Sequence, residues 1–465
     1  METLQRTANR GSVPTGYDIN NSVKLEDDNT EYLQRPASGS DGSRRTMTIS
    51  MWLKRTEIDD DQIFISQGSN IRFRFKPNYF HIRLTDGSST YEIEDENRLF
   101  RDTNAWYHLV VAIDTTQSTA SNRVKIYWNG VQHTSFTTAN YPSQNDDLTL
   151  GNFSSTTMQL GWFTEGGYGF NGYFAEVHYV DGTQVAQTEF GEFDEDSGIW
   201  KAKEYTGSHG SEGFYLKFED SSNLGLDSSG NSNNFNLNNI AAADQATDTP
   251  TNNFCTMNVL WDNSYTTFTE GNTNVDTTGS GWMSMASTFA VNKGKWYWEF
   301  KRDSGNAFVG ITDAEDKFVP RSPAGYFFGY NDDGGTNSIG MYSVNGQVYN
   351  SPGGTPDGAS FTTSNIVGVA VDMDNKKLYF SVDGTYAGSM DPAAGSGGVT
   401  IPTTWDSGYV YMGFSGFNGS YAVNFGGYTT ISISSAANDG KYGNFEYAPP
   451  SGYYALCTKR LAEYG

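Results

Sequence analysis

The chain has 465 residues, a length suited to about two or three domains. Its formal charge of -24, from 30 basic and 54 acidic side chains, speaks against general affinity for nucleic acid or anionic membrane, because counterion release needs clustered Lys and Arg. Val, Ile, Tyr, Phe, Trp and Thr fill the periodic stretches and 52 Gly punctuate them, so an all-β class follows; no stretch approaches the roughly 20 apolar residues of a membrane span.

Residues 1–22 are polar and aperiodic and are expected to be an arm, either free or pinned onto a neighbour. They lack the apolar core of a signal peptide, so synthesis in the cytoplasm is expected. A first β-sandwich with a following connector is expected over 23–243. Within it Ile71, Phe73 and Phe75 alternate with Arg72, Arg74 and Lys76, which puts one set in a core and leaves a basic stripe, with Arg83, outside. The basic residues are uneven: 16 of the 30 precede His133 and none lies between Thr134 and Trp200.

One phrase occurs twice, at Leu109–Val131 and Ile366–Ala387. Each copy is an apolar strand ending in Asp114 or Asp372, a polar turn, an alternating strand, and Asn129-Gly130 or Asp383-Gly384. Those dipeptides accept the positive φ of a type I′ turn and predict two hairpins inside larger sheets. The Ser/Asn/Asp-rich run over 190–243 reads as a connector, although GFYLKF in it can complete a sheet; a linker follows at 244–253. A second β-sandwich is expected over 254–427, and a tail over 428–465 that packs back on the body. Only the last residues and Thr183–Phe190 suggest short helices. Cys255 and Cys457 stand alone, so they read as small apolar residues rather than a disulfide framework or thiolate metal site.

Thr48–Arg55, Trp106–Asp114, Lys125–Gly130 and Phe170–Gly182 follow one another in an order that resembles the laminin-G-like, concanavalin A-type sandwich. KGKWYWEFK, AFVGITD, IVGVAVDMDNKKLYFSVDG and GYVYMGFSG resemble a SPRY domain. The fold class expected is therefore all-β, with two concanavalin A-like antiparallel β-sandwiches of jelly-roll type. The run through GFYLKFED, DSSGNSNNF and DTPTNNF resembles virion proteins of tailed bacteriophages, especially those of marine bacteria. That resemblance implies a non-enzymatic structural protein of a head or tail fibre, appendage or decoration, with host-surface glycan and other virion subunits as partners. A purely structural assembly role and a polysaccharide depolymerase are its alternatives, and a homo-oligomer is compatible with all three.

Catalysis would need acids spaced by two on one strand, as some concanavalin-type glycosidases have. Glu92-Ile93-Glu94-Asp95-Glu96 and Glu192-Phe193-Asp194-Glu195-Asp196 come nearest, yet each departs from that pattern and reads as a solvated acidic turn. His81, His108, His133, His178 and His209 form no HxH or HxxxH pair, and His108 and His178 read as packing or surface residues. Asp59-Asp60-Asp61 and Asp332-Asp333 offer oxygens to calcium, but they lack a spaced loop pattern and ordinary acidic loops are the favoured reading; no other cofactor is expected. Binding residues are expected among aromatics and acids at loops: Trp162, Phe163 and Tyr168 among glycines, Tyr330, Asp332 and Asp333 in YNDDGGTNS, and Trp405 in IPTTWDSGY. Ring faces stack on sugar C–H surfaces while acids accept from hydroxyls. The competing reading is that these rings cap the sandwich ends as core.

Overall fold

The computed structural model describes residues 16–58, 60–261, 265–279, 281–313, 327–329, 337–350, 354–355, 357–405 and 407–465. They form two compact units, one ending at Asn252 and the other starting at Asn253. Both are built of antiparallel sheets, as the alternating patterns predict.

In the first unit the strands, in chain order, are β1 (Ser22–Leu25), β2 (Tyr32–Arg35), β3 (Thr46–Arg55), β4 (Gln62–Gln67), β5 (Ile71–Lys76), β6 (Tyr79–Thr85) and β7 (Thr90–Leu99). Then come β8 (Tyr107–Asp114), β9 (Val124–Trp128), β10 (Val131–His133), β11 (Thr138–Ala139), β12 (Met158–Leu160), β13 (Trp162–Phe163), β14 (Tyr168–Gly169) and β15 (Gly172–Asp181). The last five are β16 (Gly191–Phe193), β17 (Trp200–Ala202), β18 (Phe214–Leu216), β19 (Asn236–Asn238) and β20 (Gln245–Ala246). One sheet runs β10-β9-β8-β3-β15-β1-β20, with β18 also on β15; the facing sheet runs β11-β7-β6-β5-β4-β12-β2-β19. Met47, Ile49, Met51, Val111 and Trp128 from the first sheet meet Phe73, Phe75, Phe80 and Ile82 from the second in a core with almost no exposure. Alternation decides which face this is: β5 is buried at Ile71, Phe73 and Phe75 and half-buried at Arg72, Arg74 and Lys76.

Both twin phrases close as type I′ hairpins, with φ of 47° and 78° at Asn129 and Gly130 and of 48° and 75° at Asp383 and Gly384. Residues 190–243, expected to be a connector, are instead structural. Phe214, Leu216, Phe218, Leu224 and Phe235 all enter the core. The Asp227 carboxylate accepts from the backbone N–H groups of Tyr215, Ser229 and Asn233, so the polar residues wire the loop rather than solvate it. The expected linker at 244–253 is likewise packed through Asp248, whose carboxylate meets buried Lys54 at 2.8 Å. GFYLKF does complete a sheet, through β18. Of the expected arm, residues 1–15 lie outside the described residues, and Tyr17–Ser22 are held by their own unit: Ile19 is buried and its N–H donates to Thr251.

In the second unit a nine-stranded sheet carries Lys295–Arg302, Val367–Asp372 and Lys377–Val382, and a six-stranded sheet carries Met283–Val291, Val410–Phe417, Asn306–Asp313 and Ser338–Tyr342, counted among the described residues. Trp296, Trp298, Phe300, Phe380 and Phe414 fill its core. The tail packs on this unit. Tyr454–Ala455 pairs in parallel with Lys295–Arg302, Phe445 is buried, and the helix α1 (Thr458–Tyr464) is pinned where Arg460 binds Asp439 at 2.8 Å. Cys255 and Cys457 are both buried, as two small apolar residues would be.

Candidate binding face

The outer face of the β11–β19 sheet carries the densest polar arrangement. Cross-strand register sets Glu92 opposite Arg83, Arg83 opposite Arg72, Arg72 opposite Ser66, Ser66 opposite Gln159, Gln159 opposite Gln34 and Gln34 opposite Asn236. Seven strands thus contribute one polar side chain each to a single row, about 29 Å long at the usual ~4.8 Å between strands. A shorter row beside it pairs Glu94 with His81 and His81 with Arg74.

The β13–β14 hairpin rises from the middle of the long row as a ridge. Gly161 takes φ 88° between β12 and β13, a turn that suits glycine, and its N–H donates to Phe64. Ser66 Oγ donates to the Trp162 carbonyl at 2.8 Å, and Gln159 Nε2 donates to Thr164 Oγ1 at 2.9 Å. Trp162 is half-buried and stacks on Tyr32, with centroids 6.0 Å apart. Tyr168 is 41% exposed. Phe163 departs from expectation: it is buried, because the Arg72 guanidinium lies 4.2 Å over its ring.

The remaining expected positions separate further. Trp405 is buried in the core of the second unit, so the core-capping reading holds for it and it presents no face to a ligand. Tyr330, Asp332, Asp333 and Asp59 lie outside the described residues. Among the described residues no three His, Cys, Asp or Glu side chains are grouped to hold a metal ion. Glu92 and Glu94 share the outer face as period two requires, whereas Asp95 turns the other way and meets His133 at 2.9 Å. Glu192 stands on the β16–β17 hairpin, where Asp194 is held down to about 2 by the Ser197 backbone and hydroxyl, as an acidic turn would be.

Charge on the face is unevenly paired. Arg74 meets Asp61 at 2.6 Å, and Lys76 meets Glu94 at 3.1 Å. His81 is fully buried, and burial, followed by Lys76, Arg74, Arg83 and Arg72, pushes its imidazole down to about 3. Arg74 Nε donates to His81 Nδ1, so the remaining proton sits on Nε2, 3.8 Å from Glu92 and 4.0 Å from Glu94.

A second polar cluster lies beyond the other sheet. A bulge in β15 puts Glu176 at φ 49°, where it accepts from Tyr17 at 2.6 Å and Tyr215 at 2.5 Å. His178 stacks on Tyr215 with centroids 4.0 Å apart and bonds His209 at 3.1 Å, while His108 sits between Ser50 and Trp200 at 2.9 Å each. His108 and His178 are thus packing residues, and the cluster fastens the chain at Tyr17.

Sequence reasoning found Trp162, Tyr168 and the basic stripe but missed Tyr32, Gln34, Ser66, Gln159 and Asn236. The available signal was a Gln between apolar neighbours in TMQLG and one following Tyr-Leu in EYLQR.

Residues 27–188 match the profile of the concanavalin A-like lectin/glucanases superfamily. No curated protein matches the sequence. Three solved structures share low identity with it. The SPRY domain of human HERC1 is 11% identical, with 35% of this chain and 95% of that one covered and a TM-score of 0.26. A candidate carbohydrate-binding protein from Bacteroides ovatus is 15% identical, with 48% and 59% covered and a TM-score of 0.31. A heptameric SAP-like pentraxin from Limulus polyphemus is 13% identical, with 37% and 80% covered and a TM-score of 0.27. The first unit is therefore similar, over most of its described strands, to the laminin-G-type members of the concanavalin A-like superfamily.

Proposed function

We propose that this chain binds surface glycans through the outer face of the β11–β19 sheet and does so without bond-making chemistry. The observation that carries this is the meeting of a polar row, in which Glu92, Arg83, Arg72, Gln34 and Asn236 keep exposure while Ser66 and Gln159 are buried against the hairpin, with a ridge bearing Trp162 and Tyr168 and with Tyr32 of β2 stacked on Trp162. Sugars need both partners, since their C–H faces stack on rings and their hydroxyls exchange hydrogen bonds with amides, hydroxyls and carboxylates. Probing a glycan array with the full chain tests the reading. Capture on at least one glycan is expected, with a loss of about tenfold or more for Trp162→Ala and a smaller loss for Tyr168→Ala. An array without capture, or capture that both variants retain in full, would overturn it.

A finer reading is that the glycan belongs to a bacterial host and that the chain is displayed on a tailed-phage particle, made in the host cytoplasm. Its support is the resemblance of the run around Gly213–Phe254 to phage virion proteins. Detection of the chain in purified particles, in contact with cell envelopes, is the expected result. Loss of the chain from particles on deletion of residues 1–15, which spares the packed Tyr17–Ser22, without loss of envelope binding, would favour the assembly role. Reducing ends released from a bound polysaccharide, and lost in Glu92→Gln, would replace binding by catalysis.

A further inference from the structure

The outer face of the β11–β19 sheet holds two arginines that no carboxylate among the described residues reaches within ion-pair distance, although Glu92 stands opposite Arg83 in register and Glu165 and Glu92 act on Arg72 at longer range. Arg72 and Arg83 are directly opposite on neighbouring strands, a placement that is unfavourable for like charges. Neither makes an ion pair among the described residues, and the Nε atom of each is buried without a hydrogen-bond partner. Their neighbours differ, since Arg74 has Asp61 and Lys76 has Glu94. Acidic side chains are also plentiful, 54 against 30 basic ones, so the lack of a partner is not a matter of composition.

The surroundings shape these arginines as a receptor. Phe163 lies beneath Arg72, whose Nη2 donates to the Ser69 carbonyl at 3.2 Å, so that Arg72 is held in place with Nη1 left to a ligand and Arg83 supplies the second guanidinium. The Trp162–Tyr32 stack and Thr164 stand on the adjoining ridge.

Resting on the glycan-binding reading, we infer that the bound sugars carry carboxylates and that Arg72 and Arg83 together receive one of them. A carboxylate accepts two parallel N–H donors from a guanidinium, a geometry that an ammonium lacks. An anionic polymer is repelled by a chain of charge -24, so this pair must supply local attraction, and binding must weaken as salt rises.

The test is affinity electrophoresis of the full chain through gels containing alginate or polygalacturonate, each beside its carboxyl-reduced, neutral form. Retardation by at least one native polymer is expected, falling about tenfold or more on its reduced form and in Arg83→Gln. Arg83 stacks on no ring, so its replacement leaves the Phe163 platform in place; an unchanged urea midpoint for Arg83→Gln checks this. Arg83→Lys is expected to recover only part of the binding. Equal retardation by native and reduced polymers, or by wild type and Arg83→Gln, would overturn the inference and leave glycan binding intact. Retardation by the reduced polymers alone would have the same effect, and retardation by none would overturn the inference, with capture on the glycan array deciding the reading beneath it.

Discussion

Trp162 and Trp405 both sit in segments rich in small polar residues, and burial separates their roles. Trp405 is one ring of the second unit's core, so Trp405→Ala should cost about 3–5 kcal/mol as a cavity opens. Trp162 is half-buried on Tyr32, and its loss should cost about 1 kcal/mol while removing a binding face. Urea unfolding beside glycan capture distinguishes the two: Trp405→Ala should move the midpoint and Trp162→Ala the capture. The reverse pattern would exchange the assignments. Lys54 makes a comparable case, because it is buried completely and meets Asp248 at 2.8 Å, while Trp106 Nε1 donates to the same carboxylate at 3.0 Å. Asp248→Ala removes that counter-charge from a buried ammonium and should cost about 3–5 kcal/mol in the first unit, again read from urea unfolding. A change below about 1 kcal/mol would mean that other groups carry the charge.

At the scale of elements, one side chain fastens the tail of the second unit at residues 446 and 447. Glu299, buried in Lys295–Arg302, accepts from the backbone N–H groups of Glu446 and Tyr447, from Asn424 Nδ2 and from the Tyr297 hydroxyl. Glu299→Gln turns one accepting oxygen into a donor facing donors, which should cost about 1–3 kcal/mol. Amide exchange at residues 446 and 447 should rise well before that of Val367–Asp372, and equal protection in both would count against this fastening. The hairpins and the alternating strands were legible in the sequence because both are local: Asn129-Gly130 fixes a turn, and Ile71–Lys76 states its own faces. The polar row was not, since Glu92, Arg83, Arg72, Ser66, Gln159, Gln34 and Asn236 meet only through register, largely between strands distant in sequence. The expected connector over 190–243 failed for a related reason. Ser, Asn and Asp there were read as solvated, whereas Asp227 turns them inward by binding three backbone N–H groups while Phe214 and Phe235 enter the core. Polarity alone does not distinguish a wired loop from a free one.

For the whole molecule, the buried histidines of the first unit and Glu299 of the second respond to acid with opposite sign, although burial also raises Asp27, Glu31 and Glu57 in the first unit. All five histidines precede Asn252, so the second unit has none. Burial pushes His81 and His108 down to about 3 and His209 down to about 4. A histidine with a lowered folded pKa gives stability that is complete above its unfolded value near 6.5 and is lost as pH falls toward the folded value. At pH 5 the loss should be about 2 kcal/mol for each of His81 and His108. In the second unit burial pushes Glu299 up to about 7, against donors that favour its ionised form. An acid with a raised folded pKa destabilises as pH climbs from its unfolded value near 4.5 to about 7, so the second unit should gain stability as pH falls from 7 to 5. Amide exchange followed separately in Thr46–Arg55 and Val367–Asp372 reads both units in one sample. Between pH 7 and pH 5, after correction for intrinsic exchange rates, protection should fall in the first strand and rise in the second. His81→Gln should flatten the first slope, and Glu299→Gln should abolish the second. Parallel slopes in the two units would show that these buried groups do not govern their acid response.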